Sequence, residues 1–291
     1  NTPDKTLPMN AEHFICGAIG GLSSLAVGHP FDTIKVRLQT RPDIYKSGFQ
    51  TLKLALVKEG GISSLYKGIG AVAPGVSFVY ASWFYGFETG KRIFCSDHQT
   101  SNYRLALAGA FSALFTAPIT GPSDRVKVLA QISNSNSNKN HTPRSSKQVF
   151  LQLIKKPGGL KNVFRSKDIF ITFIRDAWGS AFYFAIYELL KQDYFKKNPN
   201  CKNKLPIFES VIYGSFVGVV YWFTCIPIDN VKSRLQSSQD DNIKIRTILR
   251  DIRTSGIRNL YRGMNVMLMR AVPAHGACFL GYEQSKRLFF S

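Results

Sequence analysis

The stretch Gly28-His29-Pro30-Phe31-Asp32-Thr33-Ile34-Lys35-Val36-Arg37-Leu38-Gln39 decides the fold, because the chain writes it twice more with variations. A proline, an acid two residues on, a base five on and a glutamine nine on recur as Pro122, Asp124, Lys127, Gln131 and as Pro227, Asp229, Lys232, Gln236. The acids at 32, 124 and 229 are 92 and 105 residues apart. A period of that size across 291 residues makes the chain a threefold internal repeat, which takes precedence over any division by length alone.

Each copy of the motif ends a weakly charged stretch. Hydrophobic residues make up 44% of the chain, mean hydropathy is near zero, and no window offers twenty uninterrupted apolar residues. Yet Ala106 to Leu114 and Val211 to Ile226 are almost free of charge, and each runs into a Pro-x-Asp that a bilayer tolerates only where it faces protein or water. Six moderately apolar helices around a polar interior satisfy both observations. Thirteen and nine residues before each motif proline stand Gly17 and Gly21, Gly109 and Ala113, Gly214 and Gly218, a small-residue face on which a neighbouring backbone can close.

Proline inside a helix removes a donor and crowds the preceding turn, so Pro30, Pro122 and Pro227 are expected to kink their helices and turn Asp32, Asp124 and Asp229 inward. Acid and base three residues apart could pair within one helix. Their threefold recurrence favours a ring instead, each acid meeting the base of another repeat, Asp32 with Lys127 or its symmetry mates. A second motif ends the even helices: Phe87-Glu88-x-x-Lys91, Tyr187-Glu188-x-x-Lys191 and Tyr282-Glu283-x-x-Lys286. Two charge rings at opposite ends are what alternating access requires, one barrier forming as the other opens.

Glycine-marked helix entries lie between the motifs, at Tyr66-Lys67-Gly68 and Tyr261-Arg262-Gly263, with Phe164-Arg165-Ser166 as the weaker copy. Free N–H groups beside a base suit a phosphate, and in a membrane that means a lipid head group. The net charge of +20 sits mostly in the connections, which points to anionic lipid rather than nucleic acid. The Asn/Ser/Lys-rich segment from Ser133 to Ser146 reads as a loop insertion. Five scattered cysteines and five scattered histidines offer neither a disulfide framework nor a metal set, and no nucleotide-binding phosphate loop is present, so an enzyme is not expected.

Together the two motifs resemble the mitochondrial carrier family over essentially the whole chain. The resemblance implies an all-α membrane protein: six transmembrane helices in a threefold pseudosymmetric barrel with three short matrix helices, multi-pass in the mitochondrial inner membrane. Carrier repeats would occupy 1–97, 98–199 and 200–291 of one integrated domain. It implies a matrix gate of Asp32, Lys35, Asp124, Lys127, Asp229 and Lys232 braced by Gln39, Gln131 and Gln236. Glu88, Lys91, Glu188, Lys191, Glu283 and Lys286 would form the cytoplasmic gate. Lys67, Gly68, Arg165, Arg262 and Gly263 would hold structural cardiolipin, with no cofactor and no metal.

In that family even-helix residues meet the solute midway. Thirteen residues before Glu88, Glu188 and Glu283 stand Gly75, Arg175 and Arg270, followed by Val76, Asp176 and Ala271. Charges there are costly in a membrane and therefore site candidates. An ion pair between Arg175 and Asp176 is disfavoured, because adjacent helix positions do not face each other. Asp176 would hold the cation and Arg270 fork the carboxylate of a small zwitterionic solute. This wording looks most like the carnitine/acylcarnitine branch, implying antiport. A basic amino acid carrier is one alternative; a carrier-fold subunit of a respiratory-chain complex, in place of a monomer, is the other. Two departures stand out: Leu129 where Arg37 and Arg234 supply a second base, and Phe78 and Trp178 where Pro273 keeps the branch's proline. Trp178 would either cover a quaternary ammonium as a cation–π partner or be a packing residue that stiffens the helix and narrows the cavity.

Overall fold

The computed structural model describes residues 9–40, 47–58, 61–66, 69–95, 101–135, 146–199, 205–237, 246–248, 250, 261 and 264–289. Its elements are α1 (Met9–Thr40), α2 (Gly48–Lys58), a 3-10 turn (Gly61–Leu65), α3 (Ile69–Phe94), α4 (Asn102–Phe111), α5 (Ala113–Ser135), α6 (Ser146–Lys155), a second 3-10 turn (Gly159–Asn162), α7 (Ser166–Lys197), α8 (Ile207–Ser237) and α9 (Met264–Phe289). Counting α4 and α5 as one, the described residues hold six long helical segments, with the short helices α2 and α6 between the first and second and between the third and fourth. Among the described residues four stretches are long and apolar enough to cross a membrane: Ala11–Ile34, Asn102–Leu129, Ser166–Lys197 and Ile207–Leu235.

Each motif proline lies inside a continuous helix, Pro30 in α1, Pro122 in α5 and Pro227 in α8. The second repeat departs from the other two at Ser112, where the odd helix breaks. Ser112 Oγ donates to the Gly109 carbonyl at 2.6 Å, and the Ser112 N–H bonds the same carbonyl at 3.2 Å. That three-residue step is tighter than the helix on either side.

The even helices also differ. α3 starts six residues before Gly75 and α9 six before Arg270, whereas α7 starts nine before Arg175 and ends nine after Glu188. α7 therefore has 32 residues against 26. At about 1.5 Å per residue it exceeds the roughly 30 Å apolar core of a bilayer by more than the other even helices do. It is also the even helix without proline; α3 carries Pro74 and α9 Pro273.

The chain divides into two compact units. One holds Asn1–Glu88, Ile186–Val220 and Asn265–Ser291, the other Thr89–Ala185 and Tyr221–Met264. In the first unit the small-residue faces seat α1 on α3 and α8 on α9. A Cβ on Gly17 would lie 2.9 Å from Phe84 Cβ, and one on Gly218 2.6 Å from His275 Cβ. In the second unit Gly109 closes on α7, where a Cβ would come within 2.9 Å of Ala181 Cα. Backbone cannot retreat as a side-chain tip can, so Gly109→Val is expected to cost about 1–3 kcal/mol through overpacking. Thermal unfolding of the purified protein checks this.

Leu129 finds its explanation in the second unit. It packs against Val126, Val149, Leu153 and Val163, the apolar seat of α6 on α5. An arginine there would have to leave that seat, so the missing second base is an exchange of charge for packing.

Candidate functional site

In the second unit one contact of the first charge set is made as the repeat pattern predicts. Lys232 Nζ of α8, itself 4% exposed, donates to Asp124 Oδ2 of α5 at 2.5 Å, joining the base of repeat three to the acid of repeat two. The other two acids are met by the contact-position arginines. Asp229 Oδ1 lies 3.3 Å from Arg175 Nε, an ion-pair distance without hydrogen-bond alignment. In the first unit Asp32 Oδ2 accepts from Arg270 Nη1 at 2.7 Å, both side chains being partly exposed. Lys127 is exposed. The side chains of Lys35, Gln39, Gln131 and Gln236 lie outside the described residues, as do Lys67, Gly68, Arg262 and Gly263.

Arg175 is the centre of the second unit's polar cluster. Its Nη1 donates to Asp176 Oδ1 at 2.8 Å and to Tyr221 Oη at 2.8 Å. Its guanidinium carbon lies 5.3 Å from the Tyr221 ring centroid and 5.4 Å from that of Trp222. Asp176 also accepts from Thr120 Oγ1 at 3.2 Å and from Thr116 Oγ1 at 3.4 Å. The Arg175–Asp176 pair thus forms, contrary to the expectation from adjacent positions. An arginine side chain is long enough to sweep around the helix, and the restriction on neighbours holds for shorter side chains.

The structure does not bring Trp178 to Asp176. Residues two apart on a helix point about 200° apart. Asp176 is 6% exposed against α5, while Trp178 is 50% exposed on the face of Phe170 and Ile174 and touches Phe182 edge to face. Of the two readings of Trp178, this placement agrees with the packing residue, in an apolar stripe of α7 with Phe170 and Ile174. Phe78, the other replaced proline position, is exposed and meets Phe14 edge to face. On α3 and α9, Gly75 has nothing within 4 Å of its would-be Cβ, Val76 is half-buried and Ala271 is buried.

At the second motif, Lys191 donates to Glu283, which also accepts from Tyr187 Oη at 3.2 Å. Tyr187 stacks on Phe279 with centroids 3.5 Å apart, and Phe84 on Tyr282 at 4.3 Å. Lys286 Nζ stands 3.4 Å from Glu12 Oε1, and Glu88 Oε2 lies 3.9 Å from His13 Nε2. Glu188 and Lys91 are half-buried.

In the second repeat Phe164 stands five residues after the start of its 3-10 turn, as Tyr66 does in the first, but eleven residues before Arg175 where Tyr66 and Tyr261 stand nine before Gly75 and Arg270, so this entry carries two extra residues. Asp168 is 0% exposed and accepts from Arg125 Nη1 at 2.6 Å and from Arg165 Nη2 at 2.7 Å and Nε at 2.9 Å. Arg165 Nη2 also donates to the Leu235 carbonyl at 3.0 Å. Its fork is engaged within the protein. Sequence reasoning passed over Thr116, Thr120, Tyr221, Trp222, Arg125 and Asp168. Thr116 and Thr120, four apart in an apolar helix, were the one visible signal.

Against this geometry, comparison with known proteins is unambiguous at the level of family. The mitochondrial carrier protein model matches three times, over residues 8–98, 98–198 and 203–291. The chain belongs to the mitochondrial carrier family and is a multi-pass mitochondrial membrane transporter of a small solute, not an enzyme. It is similar to the mitochondrial carnitine/acylcarnitine carrier protein of Mus musculus, 33% identical over 96% of this chain and 95% of that one. The mitochondrial carnitine carrier of Saccharomyces cerevisiae is 32% identical over 99% of this chain and 91% of its own. The mitochondrial magnesium exporter 1 of Drosophila melanogaster is 35% identical over 99% of this chain and 97% of its own.

Proposed function

We propose that this carrier exchanges carnitine for acylcarnitine across the mitochondrial inner membrane by alternating access, with cardiolipin as a structural lipid. The observation that carries this reading is that both contact-position arginines already hold carboxylates, Arg270 that of Asp32 and Arg175 those of Asp176 and Asp229. A solute carboxylate is the chemical equivalent of those partners and can replace one of them. Taking a guanidinium from a motif acid frees that acid and weakens the first charge set. Binding is thereby coupled to the gate. Asp176 supplies the remaining requirement, a carboxylate for the solute's cation.

The same arginines argue against a divalent metal as cargo. Mg²⁺ takes oxygen ligands in a tight octahedron, and two guanidinium groups beside the acids compete with it. Basic amino acids also carry a carboxylate and a cation, so they are the pertinent competitor. Exchange in cardiolipin-containing proteoliposomes separates the three, with labelled carnitine, labelled lysine and Mg²⁺ as parallel arms. Carnitine uptake driven by internal carnitine, above carrier-free vesicles and above the lysine arm, is the expected result. Uptake of lysine or Mg²⁺ with none of carnitine would overturn the reading.

A further inference from the structure

Two side chains outside every repeated motif meet members of the second charge set. Glu12 and His13 follow one another near the start of α1. Glu12 Oε1 lies 3.4 Å from Lys286 Nζ, with Glu12 14% exposed. His13 is 6% exposed; its Nδ1 is 2.6 Å from Tyr282 Oη and its Nε2 3.9 Å from Glu88 Oε2. The His13 and Tyr282 rings stack at 6.3 Å. All five residues belong to the first compact unit.

The repeat pattern defines what these contacts replace. Lys191 of repeat two meets Glu283 of repeat three. One step further around the same pattern, Lys286 of repeat three would meet Glu88 of repeat one. Instead α1 offers an acid to the base and an imidazole to the acid, each complementary to the partner it meets. We propose that Glu12 and His13 are positioning residues of the second gate, dividing the Lys286–Glu88 contact into Lys286–Glu12 and Glu88–His13 and making its strength depend on the protonation of an imidazole.

The sign follows from the groups around His13. Glu12 precedes it on α1, and it meets Glu88 of α3 and Tyr282 of α9; Glu283, Cys16 and Glu188 of α7 act on the same Tyr282, and Lys286 stands on Glu12. Glu283 is engaged by Lys191 and Tyr187. A proton on His13 adds a cation facing Glu88, so the contact strengthens as pH falls and weakens as pH rises. Histidine is the side chain whose charge ordinarily changes between about pH 5 and 8. The inference rests on the chain being a carrier and is independent of the solute carried.

The test is a pair of double-mutant cycles read as thermal unfolding of the purified, detergent-solubilised full chain. In the first, Glu12→Gln and Lys286→Gln are each expected to lower the melting temperature by about 1–3 °C, the double variant by no more than the worse single. The reversed pair, Glu12→Lys with Lys286→Glu, is expected to recover the loss. In the second, His13→Asn and Glu88→Gln are expected to be coupled at pH 6 and to lose that coupling at pH 8. Additive effects in the first cycle, or a coupling in the second that does not change with pH, would overturn the proposal. Melting requires no solute, so failure here is distinct from failure of carnitine exchange.

Discussion

Asp168→Ala is expected to be the most damaging single substitution in the second compact unit, lowering stability by about 3–5 kcal/mol. The carboxylate is wholly buried and is shared by Arg125 of α5 and Arg165 of the turn before α7. Removing one partner of a buried ionic group leaves the remaining charges uncompensated in a poor solvent for them. Here two guanidinium groups lose a common acceptor, and the hold of Arg165 on the last turn of α8 through the Leu235 carbonyl is disturbed with it. Thermal unfolding of the purified protein measures the effect, and an unchanged melting temperature for Asp168→Ala would refute it. Replacing all three members together, Arg125→Met with Arg165→Leu and Asp168→Leu, is expected to recover much of the loss. The penalty lies in unpaired burial rather than in the value of the ion pairs themselves.

Asp168 also shows where sequence reading stops. The threefold motif made the family and the number of long helices legible, because recurrent prolines, acids and bases are a property of the chain itself. Partner choice is different, since it depends on which side chain arrives first at a given acid. The spacing of Asp124 and Lys232 led to their contact, but nothing in the spacing said that Asp32 and Asp229 would be taken by Arg270 and Arg175. Nor could the adjacency rule foresee Arg175 reaching Asp176, since it treats arginine as if it were as short as aspartate. Asp168 belongs to no repeated motif, so spacing says nothing of its burial between Arg125 and Arg165. Trp178 stands two residues after Asp176, an offset of about 200° around the helix, which separates the two side chains. Glu12 and His13 belong to no repeat, so a search for repeats passes over them.

Asp176→Asn is expected to abolish solute exchange while leaving the carrier folded, a consequence of what surrounds the carboxylate. The amide keeps the acceptor that Thr116 and Thr120 donate to, so the packing of α7 against α5 is retained. Arg175 keeps Tyr221 at 2.8 Å and Asp229 at 3.3 Å. What disappears is one negative charge, the feature required to hold a cationic group out of water. Losing one partner of a desolvated charge contact costs about 2 kcal/mol or more, roughly thirtyfold in affinity. Labelled-carnitine exchange in proteoliposomes, alongside thermal unfolding of the same preparation, separates the two properties. Exchange at the parent rate with an unchanged melting temperature would remove Asp176 from the solute site. A fall in both would make it a structural residue whose partners are Arg175 and the two threonines. Arg175→Ala provides the opposite pattern. It leaves both Asp176 and Asp229 without their shared cation and is expected to lower the melting temperature as well as the exchange rate, because Arg175 serves the scaffold and the gate at once.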